Sequence, residues 1–438
     1  MRERVRWLAL HGVVRAISAA GVRRGDVQAR LIADPQVRAD PAPFADEMRA
    51  RGPVIRGRAL LMTFDHQVAN DLLRSDDFRV SSLGGNLPRP LRWVVARTDT
   101  GALHPLLPPS LLAVEPPDHT RYRKLVSSVF TTRAVARLRE RVQLTADELL
   151  DSMDGATGVV DIVDRYCAQL PVAVISDILG VPDADRSQIL HFGELGAPSL
   201  DIGLSWRQYR QVNTGIAGFE SWLTDHLRRL RRAPGDDLFS QIIEASDAGA
   251  AGEPLTDPEL RALAGLVLAA GFETTVNLLG NGIRLLLDHP DQLSTLAAHP
   301  ELWPNAVEEI LRVDSPVLMS ARVARVDTEV AGTAVRAGEL IVVHLAGANR
   351  DPAVFTDPHR FDIERDNAGR HLSFSGGRHY CLGAALARAE GQVGLKTFFD
   401  RFPDARAAGP GGRRDTRILR GWSTLPIALG KARTAVGS

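Results

Sequence analysis

The chain has 438 residues, with 53 basic and 53 acidic side chains, 44% hydrophobic content and two cysteines. Zero formal charge argues against nucleic acid as the main partner, because phosphate binding needs a basic surplus. Ordinary hydrophobic content excludes a largely disordered chain, and two cysteines are too few for a four-thiolate metal site or a disulfide scaffold.

At the N-terminus basic residues precede an apolar stretch, which His11 and Arg15 interrupt. Arg23 to Asp26 stands where the cleavage site of an export signal would lie. The segment reads as a surface helix lying on the domain, with weak contact to a membrane surface as its other use. Without an export signal the protein is expected in the cytoplasm with reduced thiols. Residues 40–80 alternate short strand-like runs (Pro53 to Arg56, Ala59 to Phe64) with helical ones. Gly84 to Pro117 is rich in Pro and Gly, as expected of a lid or binding loop.

Helical periodicity dominates from His119 to Asp288, with segments at Arg133 to Met153, Leu170 to Leu179, Trp206 to Arg232 and Asp236 to Ser246. The longest helix starts at Thr256-Asp-Pro-Glu259, a capping residue with proline at the first helical position, and runs to about Asp288. Its roughly 31 residues would span about 46 Å, enough to cross the molecule. The apolar run Ala262 to Phe272 within it falls short of the ~20 residues a bilayer needs, and Glu273-Thr-Thr275 ends it, so no membrane span is expected. β-like segments follow at Arg322 to Val330 and Glu339 to Leu345, then one more helix after Cys381. With no internal repeat or polar linker, residues 1–438 read as a single domain, mainly α with a small β portion, the first 25 forming an individual N-terminal extension.

Four motifs carry chemistry. Phe374-Ser-Gly-Gly-Arg-His-Tyr-Cys-Leu-Gly383 sets Cys381 between a glycine-rich turn and a helix. The exposed N–H groups of a helix N-terminus favour a thiolate, and with it a metal. Glycines 376, 377 and 383 let backbone approach a flat ligand. In Glu309-Ile-Leu-Arg312 the acid and the arginine share a helix face, and Pro358-His-Arg360-Phe361 follows. Ala270-Gly-Phe-Glu-Thr-Thr275 puts an acid and an alcohol inside a buried helix, where each must find a partner. In Glu115-Pro-Pro-Asp-His119-Thr-Arg-Tyr-Arg123, His119 and Arg123 lie on one helix face. Cys167 lacks a glycine-rich turn and reads as a small core residue.

Together these motifs resemble the cytochrome P-450 family, specifically its bacterial, actinobacterial-like haem-thiolate monooxygenases, from about Pro41 to the end. The resemblance implies a triangular helical prism with haem b (iron protoporphyrin IX) between the long central helix and the cysteine-loop helix. It makes Cys381 the iron ligand and assigns haem contacts to Ala270, Gly271, Phe374, Gly377 and Gly383. His119, Arg123, Arg322 and His379 would reach the propionates, by charge-assisted bonds where arginine donates. Glu309, Arg312 and Arg360 would form a buried network that props up the cysteine loop. Thr274 would hydrogen-bond dioxygen and Glu273 would relay protons to it. Ser375 and Phe272 stand where glycine and histidine are common in the family.

The implied reaction inserts one atom of O2 into a lipophilic small-molecule substrate and releases the other as water. Electrons would come from a ferredoxin and ferredoxin reductase, docking near Arg133, Arg137 and Arg378. Leu266, Ala269, Leu318, Ser320 and Trp422 would line the substrate cavity of a monomer. Two rival readings share the haem: a peroxygenase driven by peroxide, a branch that lacks the acid–alcohol pair, and a non-catalytic protein that binds or senses a ligand.

Overall fold

Helices build most of the molecule, and the longest of them organises the rest. In the computed structural model, residues 2–127, 132–155, 158–250 and 252–432 are described, with backbone alone for 132–135 and 137. The central helix runs from Asp257 to Asp288. Its start is set by the Glu259 carboxylate, which accepts from the Thr256 N–H at 2.7 Å and hydroxyl at 2.8 Å. The other Glu259 oxygen accepts from Tyr122 Oη at 2.6 Å, which ties this end to the helix Asp118–Ser127.

Helices Gln169–Ile178, Trp206–Arg232, Trp303–Val313 and Ala384–Arg401 pack around it. Glycine sets the closest approach: a Cβ on Gly391 would come within 3.0 Å of Leu278, and one on Gly394 within 2.9 Å of Leu279. The main apolar core, drawn from Leu111 to Leu429, condenses here. Each large side chain buried in it contributes roughly 1.5–3 kcal/mol.

The β portion is small, as expected. Its main sheet has five short strands in the order Ile55–Arg56, Leu61–Thr63, Leu340–Val343, Ser320–Ala324, Phe78–Val80. The second and third strands are parallel and the other neighbours antiparallel, with Arg322 opposite Val80. Near the C-terminus, Gly412–Arg413 and Trp422–Thr424 pair as a hairpin.

Two segments differ from expectation. The Pro/Gly-rich stretch holds a helix, Arg89–Arg97, with no buried residue, and Trp93 on it is exposed. The N-terminal segment is helical, with one π turn at Leu8–Gly12, but it is built into the molecule. Arg6, Ala9, Leu10 and His11 are buried. Arg6 donates to Val95 O at 2.9 Å and pairs with Asp99, while Trp7 Nε1 donates to Leu204 O at 2.9 Å. The segment therefore braces both the Pro/Gly-rich stretch and the turn before the helix Trp206–Arg232. A surface reading missed this because those partners lie about 90 and 200 residues away, beyond any local pattern.

Candidate functional site

Ala269 and Ala270 are exposed in the middle of the central helix, although Leu268, Phe272 and Glu273 beside them are buried. Exposed alanines on a helix that crosses the molecule mean an interior hollow. Leu266 and Thr274, on the same stretch, are half-buried, and Thr274 Oγ1 donates to Ala270 O at 3.0 Å. The cysteine-loop helix touches the central helix around Gly391 and Gly394 and opens away toward Gly383, where an added Cβ would meet nothing within 4 Å.

Cys381 lies at that open end. It has accessible surface, yet the protein around it desolvates the thiol and pushes its pKa up; the Gly383 N–H and the charges of Arg123 and Arg388 oppose this. Both observations hold if the exposed face of Cys381 looks into the hollow. Burial thus works against the helix N-terminus at this thiol, and binding of a metal ion there would release the thiol proton.

The loop around Cys381 is rigidly held. Cys381 N–H donates to Phe374 O at 2.9 Å, and Phe374 is buried with the Arg388 guanidinium 4.5 Å from its ring centre. Gly377 has φ of +64°, and a Cβ there would strike Leu73 O at 2.4 Å, so this position requires glycine. Cys167 is wholly buried, and burial pushes its thiol up.

A pocket of two imidazoles and two arginines adjoins the cysteine. His119 and His379 meet at 4.3 Å between ring centres, tilted by 58°; the Nε2 atom of each is buried without an aligned hydrogen bond, and that of His379 lies 3.6 Å from Glu115 Oε1. Burial, and next the charges of His379 and Arg123, lower the His119 pKa to about 4. Arg322 is buried and pairs with no carboxylate among the described residues; it bonds Ser320 Oγ and Ala321 O. Burial lowers its pKa to about 10. The nearby acid, Glu115, already accepts from Val80 N–H at 2.7 Å and Arg378 at 2.9 Å. Arg123 donates to the carbonyls of Arg378 and Tyr380, so it holds the cysteine loop as well as facing the pocket. Two buried imidazole nitrogens without an aligned hydrogen bond and an arginine without a carboxylate partner among the described residues, beside a thiol on a hollow, fit a flat ligand that carries carboxylates.

The propping network is present with one member changed. Arg312 Nε and Nη2 grip the Glu309 carboxylate at 2.6 and 2.8 Å, both side chains being fully buried. The second arginine on Glu309 is Arg365, at 3.2 Å; the expectation for Arg360 fails. Arg360 is largely exposed and its guanidinium lies 3.8 Å from Asp362, while its carbonyl accepts from Arg312 Nη2 at 3.0 Å. The network reaches the loop through Asn349, whose carbonyl accepts from Arg312 and whose amide donates to Ser373 Oγ at 2.8 Å. A second brace went unread in the sequence: Glu308 holds Arg388 at 2.5 Å and His371 at 3.0 Å. Those contacts lower its pKa to about 2 against the opposing effect of burial.

Other assignments are also corrected. The missing side chain of Gly271 faces Ile175 at 2.9 Å, so this glycine serves helix packing. Among the expected cavity residues, Leu266, Ala269 and Ser320 have open surface, whereas Leu318 and Trp422 are buried. The Trp422 ring packs against Gly280 with the Arg413 guanidinium 3.8 Å from its centre. Arg378 is taken up by Glu115 and Asp76, which removes it as a free docking contact. The side chains of Arg133 and Arg137 lie outside those described. Glu273 is buried, with Arg414 Nη1 at 3.0 Å but not aligned as a hydrogen bond. Burial raises its pKa, opposed by Arg414.

A cysteine on an interior hollow, at the head of a helix and next to a pocket of two imidazoles and a buried arginine, defines a haem-thiolate protein. A family model described as cytochrome P450 matches residues 198–404. Cytochrome P450 140 of Mycobacterium tuberculosis is 66% identical over 436 residues, covering 100% of both chains. The 6-deoxyerythronolide B hydroxylase of Saccharopolyspora erythraea is 43% identical over 72% of this chain and 76% of its own. The crystal structure of Mycobacterium smegmatis CYP164A2 superposes with a TM-score of 0.81 at 34% identity, covering 92% of this chain and 99% of that one. The chain belongs to the cytochrome P-450 family. It is a haem-binding monooxygenase of the bacterial, actinobacterial-like kind.

Proposed function

We propose that the protein hydroxylates a lipophilic small molecule as a cytoplasmic monomer, with electrons delivered by a ferredoxin and its reductase. The observation that carries the reading is the apolar surface that Leu266, Ala269 and Ala270 leave open to the hollow, one turn before the Glu273–Thr274 pair. An apolar wall suits a lipophilic substrate, and a relative named for hydroxylating 6-deoxyerythronolide B supports the reaction type. Two cysteines, one of them buried in the core, leave no four-thiolate cluster in the chain itself, so electrons arrive from another protein. The main apolar core, drawn from Leu111 to Leu429, spans most of the chain and supports the reading of a single working unit. The one described helix long and apolar enough to cross a membrane is the central one, and its apolar stretch is 67% buried in the protein.

Bound haem supplies the iron at which dioxygen is reduced and one of its atoms passed to the substrate. Cys381 would hold the iron by its thiolate, while His119, His379 and Arg322 would hold the carboxylates. The walls at Leu266 and Ala269 exclude water and position the substrate's C–H bond. Thr274 Oγ1 holds a proton over the hollow, and Glu273 replaces it. Glu273 and Thr274 also argue against the peroxide-driven rival, which needs no proton relay. The test is Thr274→Ala in a reconstituted ferredoxin chain. Haem content should be unchanged, with reducing equivalents diverted to hydrogen peroxide and product per electron reduced about tenfold or more. Tight coupling in that variant would overturn the relay, and turnover on peroxide but not on reduced ferredoxin would overturn the monooxygenase route.

A further inference from the structure

Three polar side chains, Glu273, Asn277 and Asn281, occur at four-residue spacing on the central helix, and all are buried. That spacing lays them along one stripe of the helix. The C-terminal hairpin covers the stripe. Arg414 lies 3.0 Å from Glu273. A Cβ on Gly421 would fall 1.7 Å from Asn277 Oδ1, and one on Gly280 would lie 3.3 Å from Trp422 Cδ1. Arg413 Nη1 donates to Asn281 Oδ1 at 2.7 Å.

Partnering along the stripe is uneven. Asn281 is satisfied, since its amide also donates to Asp314 O at 3.0 Å and Arg420 O at 3.1 Å. Asn277 is fully buried, yet neither its Oδ1 nor its Nδ2 has a hydrogen-bond partner, and Glu273 Oε1 and Trp422 Nε1 lack one as well. Buried polar atoms are almost always satisfied by protein or by ordered water. Four orphans on one seam are the setting in which buried water is found, because each molecule there meets several polar partners. At the far end, Arg413, Arg420 and Asp314 line a cleft of about 170 Å³.

We propose that ordered water along the Glu273–Asn277–Asn281 seam carries protons from this cleft to Glu273, with Asn277 as the positioning residue. The proposal rests on the relay role given to Glu273 above. Each water accepts one proton and passes another on, so that only O–H bonds form and break; the proton Glu273 gives up is replaced from solvent. The competing entry is the side of Glu194, on the helix Arg186–Gly196, whose charge also reaches Glu273.

The test uses the haem-loaded enzyme with its redox partners. A high-resolution crystal structure should show water within hydrogen-bond distance of both the Asn277 amide and a neighbouring orphan. Asn277→Leu should leave haem content, the carbon monoxide difference spectrum and the unfolding midpoint unchanged. It should slow the proton-dependent step about tenfold, enlarge the solvent deuterium isotope effect and raise the peroxide share. Asn277→Ser, which keeps a hydroxyl and makes room for water, should restore coupling, and Glu194→Gln should behave as wild type. A dry seam, or an unchanged isotope effect in Asn277→Leu, would overturn the route, as would a larger effect in Glu194→Gln. If Glu273→Gln itself stays coupled, the relay reading fails; if it uncouples while Asn277→Leu does not, only the route fails.

Discussion

Glu390 is a strongly perturbed acid outside the relay. It sits on the cysteine-loop helix, wholly buried, with Thr275 Oγ1 donating to it at 3.3 Å. Burial lifts its pKa from 4.5 to about 8, and the single hydroxyl bond opposes this only weakly. The folded protein thus keeps a proton that the unfolded chain loses, and stability falls as pH rises through that window, by at most about 5 kcal/mol. Glu390→Gln should flatten the dependence of the denaturant midpoint on pH between 5 and 8; an unaltered slope would mean that Glu390 titrates normally. Ser375 makes the opposite kind of residue-scale case. It holds φ of +61° with a buried, unpartnered Oγ, at a position where the family commonly has glycine. Ser375→Gly relieves the left-handed backbone and the orphan hydroxyl at some cost in chain freedom, so a net gain of about 1 kcal/mol is expected from urea unfolding.

At the scale of elements, the cysteine loop is held from two sides. The helix Trp303–Val313 contributes both braces: Glu309 acts through Arg312 and Asn349 on Ser373, and Glu308 acts through Arg388 and His371. Adjacent residues on one helix thereby fix the two ends of the loop that presents Cys381. The first brace is fully buried, whereas Arg388 is partly exposed, so the second is worth less than a buried pair. Glu308→Ala should cost about 2–3 kcal/mol and speed transfer of haem to an acceptor protein. Unchanged haem transfer would confine Glu308 to general stability.

Across the whole molecule, haem is expected to complete the fold. His119 Nε2 and His379 Nε2 are buried without an aligned hydrogen bond, Arg322 is buried without a carboxylate partner among the described residues, and Ala269 and Ala270 expose apolar surface inside the protein. A carboxylate-bearing planar ligand relieves both costs at once. Free haem at a hundredfold excess over its Kd should stabilise the protein by roughly 2.7 kcal/mol. Calorimetry of haem-free protein titrated with haem should show a rising Tm, and a Tm independent of haem would contradict this account.

The amino-acid sequence by itself determined the features set by local geometry. Thr256, Pro258 and Glu259 start the central helix, His289-Pro290 stops it, and the glycine-rich turn marks Cys381 over Cys167. The pairing of Glu309 with Arg312 was legible too, because a three-residue offset joins side chains on any helix. Tertiary structure decided whatever depends on distant partners. Arg360 and Arg365 both lie about 50 residues beyond Glu309, and only packing put Arg365 within reach. The same holds for Gly271 against Ile175 and for the buried depth of the N-terminal helix. Asn277 is an ordinary polar residue in the sequence; the hairpin folded over it leaves its amide without a partner. Helix periodicity assigns a residue to a face, but only the complete fold determines what covers that face.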